Sequence, residues 1–349
     1  HVPEEYGGMG MGTMDEVVVQ EEFAWGDPGF ATAAYSNGLT AAPIITGGTE
    51  EQKAKYLGRL TEAPRIAAYA VTEPGAGSDV ASIQTTAVKD GDDYILNGSK
   101  MWITGAGKAD WFFVLAYTNK EAGYKGMSAF IVDAASDGLS LGKKETNMGQ
   151  RASDTRSINF EDVRVPAANL VGGVEGKGWF NAMTAFDLSR PNVAAHATGI
   201  SRAAFEYALQ YADERETFGK KLHQHQAIQF MLADMKTKIE ASRALTWKSA
   251  WQADNGTRGA PLQLPSCWNI VDGACRRPNP QLRFRARKLF ALDRSGGAVP
   301  LSARGSTVWA RGWLLSAAGR RMRLAPYSNS GCRGQGLDRD RGPGLGQWW

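Results

Sequence analysis

The segment WFFVLAYT, residues 111–118, indicates what kind of fold this 349-residue chain adopts. It is a short apolar run rich in aromatic residues, which is typical of a β-strand. Two later runs, SAFIVDA at 128–134 and SINFEDVRVP at 157–166, have the same character. Together these runs predict a β-rich region that extends from residue 67 to residue 165.

A further β-type run, Tyr94 to Leu96, is followed by Asn97 and Gly98. Asn-Gly is a strong signal for a two-residue hairpin, because both residues tolerate positive φ. The sequence therefore predicts a hairpin turn at Asn97-Gly98.

Helical patterns flank the β-rich region on both sides. TMDEVVVQEEFAW at 13–25 opens with a Thr/Asp capping signal, and TEEQKAKYLGRL at 49–60 has its glutamates early and its cations late, as the helix dipole favours. After GGVEGKGW at 172–179, apolar residues return at helical spacing on two more helices. These apolar faces comprise Ile200, Ala204, Tyr207 and Tyr211 on the first helix, and Ile228, Met231, Leu232, Met235 and Ile239 on the second. Two helices cannot bury both faces, so further helices or another subunit must complete the bundle.

The sequence therefore predicts an α+β chain in four parts. A partial N-terminal helical domain spans 1–66, and a β-rich middle domain spans 67–172. Residues 173–260 supply the first two helices of an incomplete C-terminal helical bundle. Residues 261–349 form an atypical tail.

The tail differs from the rest of the chain in charge. It holds 15 Lys and Arg against 4 acidic residues, whereas residues 1–260 hold 25 basic and 32 acidic ones. It contains 14 Arg, no Glu and all three cysteines, and it sustains neither helical nor strand periodicity. One interpretation is an Arg-rich nucleic-acid arm with interleaved aromatic residues. We favour another, a GC-rich coding strand read out of frame, which yields a poorly structured segment.

The overall composition is that of a globular protein without a membrane anchor. Hydrophobic residues make up 43% and charged residues 22% of the chain, and no apolar run approaches the length of a membrane span. The chain begins at His1 without a basic and apolar leader, so we expect no targeting segment and expect the true N-terminus to be missing. The absence of cysteine from residues 1–260 suits a reducing compartment. No metal site is expected.

The segment YAVTEPGAGSDV, residues 69–80, is rich in glycine. A dinucleotide-binding loop would need a third glycine where Val80 stands, and a phosphate-binding loop would need Gly-Lys-Ser/Thr. Neither motif is present. A simple turn between strands and a part of some other ligand site both stay open.

A second segment, KMWITGAGKADW at 100–111, favours a ligand site. Trp102 and Thr104 lie two residues apart, so on a regular strand they face the same side and present an aromatic wall beside a hydroxyl group. Such a pair suits a planar heteroaromatic ring, and the alternative is a Trp buried in a β core. Further along, Arg215 follows a long helix and precedes a Phe-Gly turn, which could direct its guanidinium at phosphate oxygens. A solvated Arg at a helix C-terminus is the alternative there.

Together these segments resemble the acyl-CoA dehydrogenase family, most closely its medium-chain branch. The matching stretches are PEEYGG, GTEEQKAKYLGRLTEAPRIAAYAVTEPGAGSDVAS, NGSKMWITGAGKADWF, NMGQRASDTRSINFEDVRVP, FDLSRPNVAA and ERETFGKKLHQHQAIQFMLADM. They occur in family order and cover residues 2 to about 260 almost continuously. The resemblance implies an N-terminal helical domain, a β-barrel-like middle domain and a C-terminal four-helix bundle. It further implies a homotetramer with FAD between the latter two domains.

The resemblance also implies roles for individual residues. For the flavin these are Tyr69, Val71 and Thr72, with Trp102 packed on the isoalloxazine ring and Thr104 hydrogen-bonded near its reactive nitrogen. For the substrate they are Ser78, which would meet the CoA portion, Asp187 and Arg190. The residues implied for the FAD of a neighbouring subunit are Arg215, Thr217 and Gln226. Among these, Arg215 would bind the pyrophosphate.

The implied reaction is the α,β-desaturation of a fatty acyl-CoA thioester in fatty acid β-oxidation, with an electron-transfer flavoprotein as acceptor. A base must remove a proton from Cα while Cβ delivers hydride to FAD, and a buried carboxylate suits this role. In the medium-chain branch the base is the Glu of a Tyr-Glu-Gly-Thr stretch near the C-terminus, but the last glutamate here is Glu240. Other relatives carry the Glu one residue before the counterpart of Arg190, where this chain has Ser189. The catalytic base is therefore unknown, Asp187 is a poor substitute, and we expect this chain to be inactive.

Three alternative hypotheses stay open. A flavin oxidase or monooxygenase of the same fold would pass electrons to oxygen, and a non-catalytic FAD- or CoA-binding scaffold would be consistent with the missing base. Nucleic-acid binding through the tail ranks last, so no nucleic-acid partner is expected. We expect a cytoplasmic location in a bacterium, or the mitochondrial matrix in a eukaryote.

Overall fold

The computed structural model describes residues 2–256. Within them, helices α1 (Thr13–Gly26), α2 (Pro28–Gly47) and α3 (Glu50–Glu62) come first. The strands that follow are β1 (Ile66–Ala70), β2 (Thr86–Asp90), β3 (Asp93–Thr104), β4 (Ala109–Tyr117), β5 (Met127–Asp133), β6 (Leu139–Leu141) and β7 (Thr155–Pro166). The last elements are helix α4 (Gly178–Glu214), the short strands β8 (Glu216–Thr217) and β9 (Lys220–Lys221), and helix α5 (Gln226–Asp254). The predicted α+β class is confirmed, while the predicted tail lies outside the described residues.

Strands β1 to β7 form one curled sheet, which confirms the β-barrel-like middle domain. The strand order is β1-β4-β2-β3-β7-β6, and β5 pairs with β4. The pairs β2/β3, β3/β7, β4/β5 and β6/β7 are antiparallel, whereas β1 and β4 are parallel.

Strand β4 lies at the centre of this sheet and is buried on both faces. Trp111 and Phe113 belong to a core shared with α2, α3 and α4, while Phe112 and Val114 belong to the core inside the curl. All four side chains are fully buried. Burial of both faces explains why the sequence of β4 is a continuous apolar run rather than an alternating one.

The predicted hairpin turn at Asn97-Gly98 is wrong. Strand β3 runs through both residues, and the turn between β2 and β3 lies at residues 91–92. Gly98 instead lies at an irregularity in the register of β3 against β7, with φ +149°. A Cβ on Gly98 would lie 2.5 Å from Thr85 Oγ1. Glycine at this position therefore serves a close backbone approach rather than a chain reversal.

An ion-pair cluster joins three helices. Glu21 of α1 is 5% exposed and accepts hydrogen bonds from Arg202 of α4 at 3.0 Å and from Arg243 of α5 at 2.7 Å. Elsewhere α4 and α5 present apolar side chains to the surface, including Tyr207 and Met231 from the two predicted faces. None of the helices in residues 2–256 combines the length and the apolar character needed to cross a membrane.

A polar cluster lies between α1, α2 and α4. Gln20 Nε2 is 3.0 Å from His196 Nδ1, and Asn192 Nδ2 donates to Glu16 Oε2 at 2.9 Å and to Tyr35 Oη at 3.0 Å. Burial lowers the pKa of His196 below its ordinary value of about 6.5. The packing of these helices therefore favours the neutral imidazole.

We expect the protein to lose stability as the pH falls below about 6.5. The unfolded chain protonates His196 at a higher pH than the folded chain does, so acid favours the state that binds more protons. The contribution of His196 is complete above its unfolded pKa and declines below it. His196→Gln keeps a polar partner for Gln20 but does not titrate. It should therefore reduce the loss of unfolding free energy between about pH 7.5 and about pH 5.5. Urea unfolding at the two pH values measures this, and equal losses in wild type and variant would contradict it.

Candidate functional site

The glycine-rich segment after β1 is an open turn. Glu73 and Ala76 exchange backbone hydrogen bonds of 2.9 and 3.1 Å, which closes the turn. Gly75 and Gly77 lie at its tip, and a Cβ on either residue would meet no atom within 4 Å. Ser78 is also exposed. The two glycines therefore leave the space beside the turn clear.

Strand β3 passes next to this turn and carries Trp102. The backbone N–H of Met101 donates to the carbonyl oxygen of Thr72 at 2.9 Å. The register of β3 against β7 shifts between Lys100 and Ile103, which marks a β-bulge. Trp102 lies in the bulge with φ +62° and is 55% exposed. A bulge of this kind redirects a side chain away from the regular face of the sheet.

Burial alternates along the end of β3. Trp102 is exposed, Ile103 is buried and Thr104 is half-buried. The alternative interpretation of Trp102 as a buried core residue is therefore wrong. Regular pleating alone does not set the direction of its indole ring, because its backbone is left-handed.

Tyr69 connects β1 to the N-terminal part of α4. Its ring stacks on Phe113 with centroids 5.0 Å apart and meets Phe186 edge-on at 5.5 Å. Its hydroxyl donates to the carbonyl oxygen of Ala182 at 3.1 Å, and burial raises the pKa of this hydroxyl. These contacts bring the segment of α4 that contains Asp187 next to β1.

Asp187 and Arg190 form an exposed ion pair on α4. Asp187 Oδ1 lies 3.0 Å from the Arg190 guanidinium, and both side chains are about half exposed. Asp187 therefore lacks the apolar surroundings that a carboxylate base requires. Ser189 is buried, and its hydroxyl donates to the carbonyl oxygen of Phe186 at 3.0 Å. Glu240, the last glutamate of the chain, lies on α5 in an ion pair with Arg243.

A second group of predicted residues lies around the β8–β9 hairpin. Arg215 directly follows α4 and is exposed, as is Gln226 at the start of α5. Thr217 is half-buried on β8. Phe218 and Gly219 have φ +52° and +72°, so the predicted Phe-Gly turn is confirmed.

The two groups do not meet within one chain. Asp187 lies on α4, and Arg215 directly follows the end of α4, 28 residues further along the chain. At 1.5 Å per residue this corresponds to about 42 Å. We therefore divide the predicted residues into two regions. The first comprises Tyr69, Val71, Thr72, Ser78, Trp102, Thr104, Asp187 and Arg190, and the second comprises Arg215, Thr217 and Gln226.

The first region has the chemical groups that a flat heteroaromatic cofactor requires. Within residues 2–256, the hydroxyl groups of Thr72, Ser78 and Thr104 make no side-chain hydrogen bond. Ser78 belongs to the open glycine turn, Thr72 directly precedes that turn, and Thr104 is two residues from Trp102, whose indole ring is exposed. Uncommitted polar groups beside an aromatic surface are typical of sites that orient such ligands.

Sequence reasoning missed two residues next to this region. Lys100 is fully buried, and its Nζ donates to the carbonyl oxygen of Val71 at 3.0 Å and to Glu73 Oε1 at 2.9 Å. Burial lowers the pKa of Lys100 to about 8, although Glu73 opposes this effect. Burial alone would raise the pKa of Glu73, but Lys100 and the hydrogen bonds from Thr85 and Gln84 outweigh it and lower that pKa.

A signal for Lys100 was present in the sequence. Tyr94, Leu96, Gly98 and Lys100 occupy every second position of β3, and Tyr94 and Leu96 face the core. Strand alternation therefore places Lys100 inward. No comparable pattern marks Glu73, which lies in the turn.

Two clefts lie elsewhere on the described part of the chain. One, of about 320 Å³, is lined by Glu21, Arg202 and Arg243 among others. The other, of about 500 Å³, is lined by Arg59 and Asp110 among others. Neither includes a predicted site residue, so these clefts do not define the candidate site.

Comparison with known families gives three consecutive matches. The N-terminal domain of acyl-CoA dehydrogenases matches residues 1–63, the middle domain 68–163 and the C-terminal domain 176–267. A probable medium-chain specific acyl-CoA dehydrogenase 2, mitochondrial, of Caenorhabditis briggsae is 46% identical over 299 residues, which cover 85% of this chain and 70% of that protein. The chain spans between 65% and 70% of the length of four curated relatives that it matches.

Solved structures show the same similarity. Butyryl-CoA dehydrogenase of Megasphaera elsdenii matches with a TM-score of 0.75 and 38% identity, over 82% of this chain and 75% of that chain. A structure described as the electron transferring flavoprotein of Acidaminococcus fermentans matches with a TM-score of 0.76 and 40% identity, over 83% of this chain and 75% of that chain.

Proposed function

The chain belongs to the acyl-CoA dehydrogenase family, and from this we propose that it binds FAD and a fatty acyl-CoA thioester at the region around Trp102. The predicted family and its medium-chain branch are confirmed. The observation that carries the proposed site is the Met101–Thr72 hydrogen bond, which joins the bulge carrying Trp102 to the open glycine turn. The reaction class is α,β-desaturation, as in fatty acid β-oxidation.

Each residue of the first region has a distinct task in this proposal. Trp102 supplies an aromatic surface for the isoalloxazine ring, and Thr72 and Thr104 supply hydroxyl groups at its edge. Tyr69 forms the adjoining wall, and Val71, which is 2% exposed, supports it from the core. When bound, FAD supplies the acceptor for the hydride from Cβ of the substrate.

The substrate-binding residues are Ser78, at the open turn, and the Asp187–Arg190 pair on α4. Ser78 is exposed at the rim, where it can reach the polar CoA portion. The Asp187–Arg190 pair presents both a donor and an acceptor at the surface of α4. Acyl chain length depends on the depth of the pocket, which single residues do not set.

Arg215, Thr217 and Gln226 belong to the FAD site of a neighbouring subunit in this proposal. Their separation of about 42 Å from Asp187 along α4 supports this, because the two groups cannot contact one compact cofactor region within a single chain. Arg215 would bind the pyrophosphate through its guanidinium. This requires at least one further subunit, and the family resemblance supports a homotetramer.

The electron acceptor that belongs to this reaction class in our proposal is an electron-transferring flavoprotein. The similarity to a structure described as such a flavoprotein, together with that to a butyryl-CoA dehydrogenase, supports this partner. The chain itself lacks the base for turnover, because Ser189 and the sequence after Glu240 provide no glutamate. We therefore propose that it binds cofactor and substrate but does not turn over.

The test is to bleach the flavin with acyl-CoA esters of increasing chain length. We expect the purified 349-residue chain to retain FAD and to show no rapid loss of flavin absorbance. Ser189→Glu places a carboxylate one residue before Arg190 and should accelerate bleaching about 10²-fold, the contribution of a positioned general base. Ser189→Gln matches it in size without the charge and should stay slow.

Two outcomes would contradict the proposal in different ways. A wild-type chain that holds no FAD would refute the function itself. Rapid bleaching of the wild-type flavin would refute only the absence of a base.

A further inference from the structure

The buried ion pair of Glu73 and Lys100 lies directly behind the proposed site. Lys100 has no exposed surface and Glu73 is 6% exposed, so neither side chain can contact a ligand from solvent. Their nearest charged atoms are 2.9 Å apart. Any influence on the site must therefore pass through neighbouring residues.

The pair ties together three segments of backbone. Lys100 on β3 donates to the carbonyl oxygen of Val71, at the end of β1. Glu73, in the turn, accepts from the backbone N–H groups of Gln84 at 2.6 Å and Thr85 at 3.0 Å and from the Thr85 hydroxyl. The ion pair thus links the glycine turn to the segment before β2 and to β3.

The same contacts adjoin the residues assigned to the flavin. Lys100 precedes the bulge that holds Trp102 in its left-handed conformation. Thr72 lies between Val71 and Glu73, and its carbonyl oxygen accepts from Met101 at 2.9 Å. Movement of the ion pair would therefore shift both the turn and the bulge.

Stability alone does not explain such a pair. Desolvation of two buried charges offsets most of their attraction, and apolar residues of similar volume often stabilise a fold equally well. A buried pair can instead select one arrangement of the segments around it.

We propose that Glu73 and Lys100 are positioning residues that hold the bulge of Trp102 against the glycine turn and so shape the FAD site. The inference rests on the proposed function for its ligand. The mechanical part, the link between the turn and the bulge, can be measured without any ligand.

The test compares the unsubstituted 349-residue chain with the double variant Glu73→Gln/Lys100→Met, which removes both charges at similar volume. The matched control is Arg164→Met. It removes an ion pair of the same sheet in which Arg164 lies 2.7 Å from Asp90 and 3.0 Å from Asp93, at the surface. The exchange rate of the Met101 amide hydrogen, measured without added FAD, reports how firmly the bulge is held to the turn. The Kd for FAD, measured by titration with flavin fluorescence, reports the effect on the site.

In the double variant we expect the Met101 amide to exchange about tenfold faster and the Kd for FAD to rise about tenfold, equivalent to about 1.4 kcal/mol. The thermal midpoint should stay close to that of the wild type, and the absorbance spectrum of the bound flavin should change. Arg164→Met should leave exchange, affinity and spectrum unchanged.

Failure of the positioning role and failure of the proposed function give different results. Unchanged Met101 exchange in the double variant would overturn the positioning role. A lower thermal midpoint with wild-type FAD affinity and spectrum would also overturn it, because the pair would then serve only stability. A wild type that binds no FAD, together with accelerated exchange in the double variant, would support the link and refute the proposed function.

Discussion

Replacing Lys100 with methionine alone is expected to lower the free energy of unfolding by about 3–5 kcal/mol. The substitution removes the only side-chain cation that contacts Glu73 within the described residues, while the Glu73 carboxylate stays buried at 6% exposure. An uncompensated charge in the interior must either stay ionised without its partner or take up a proton, and both alternatives disfavour the folded state. Urea unfolding followed by circular dichroism measures the change.

The double variant and a surface variant serve as controls for this prediction. Glu73→Gln together with Lys100→Met removes both charges and should recover most of the lost stability. Arg164→Met breaks a surface ion pair and should cost only about 0–1 kcal/mol. If Lys100→Met changed stability no more than Arg164→Met does, the pair would not be electrostatically coupled.

Local patterns predicted the main elements because the residues that carry them are close in sequence. Strand β4 follows from an apolar run that is buried on both faces. Helix α3 follows from the early glutamates and late cations of residues 49–60. The structure adds a reciprocal cap, in which Gln52 N–H donates to Thr49 Oγ1 at 3.3 Å and Thr49 N–H donates to Gln52 Oε1 at 3.1 Å. Such signals need no knowledge of the tertiary fold.

Features that depend on distant residues were not predictable in this way. Helix α1 begins at Thr13, as the capping signal suggests, but its first N–H groups are satisfied from the far end of α5. Asp254 accepts from Thr13 N–H at 2.7 Å and from Met14 N–H at 2.9 Å. The Asn97-Gly98 signal failed for the same reason, since the contact that requires glycine there is with Thr85 on another segment.

The sequence predicted the residue types of the candidate site but not the backbone conformation that presents them. Spacing alone predicted that Trp102 and Thr104 share a side, as they would on a regular strand. The bulge depends on the register of β3 against β7, which no local pattern records. The positive φ of Trp102 was therefore invisible in the sequence, although it sets how the indole ring is presented.

Substitutions of Trp102 should separate the role of its backbone from that of its ring. A side chain at φ +62° is strained by about 1–2 kcal/mol relative to glycine. At an ordinary strand position Gly is less stable than Ala by about 0.5–1 kcal/mol. The two variants to compare are Trp102→Gly and Trp102→Ala. Because Trp102 lies in the left-handed region, Trp102→Gly should be more stable than Trp102→Ala by about 1 kcal/mol.

Both variants remove the indole ring, so both should bind FAD about tenfold more weakly than the wild type. Urea unfolding gives the order of stability, and flavin fluorescence titration gives the two affinities. Equal affinity in wild type and Trp102→Ala would show that the ring is not part of the FAD site. Higher stability of Trp102→Ala than of Trp102→Gly would show that the bulge relaxes in solution. A more stable Gly variant with weaker FAD binding would mean that the chain tolerates backbone strain in order to present this ring to the cofactor.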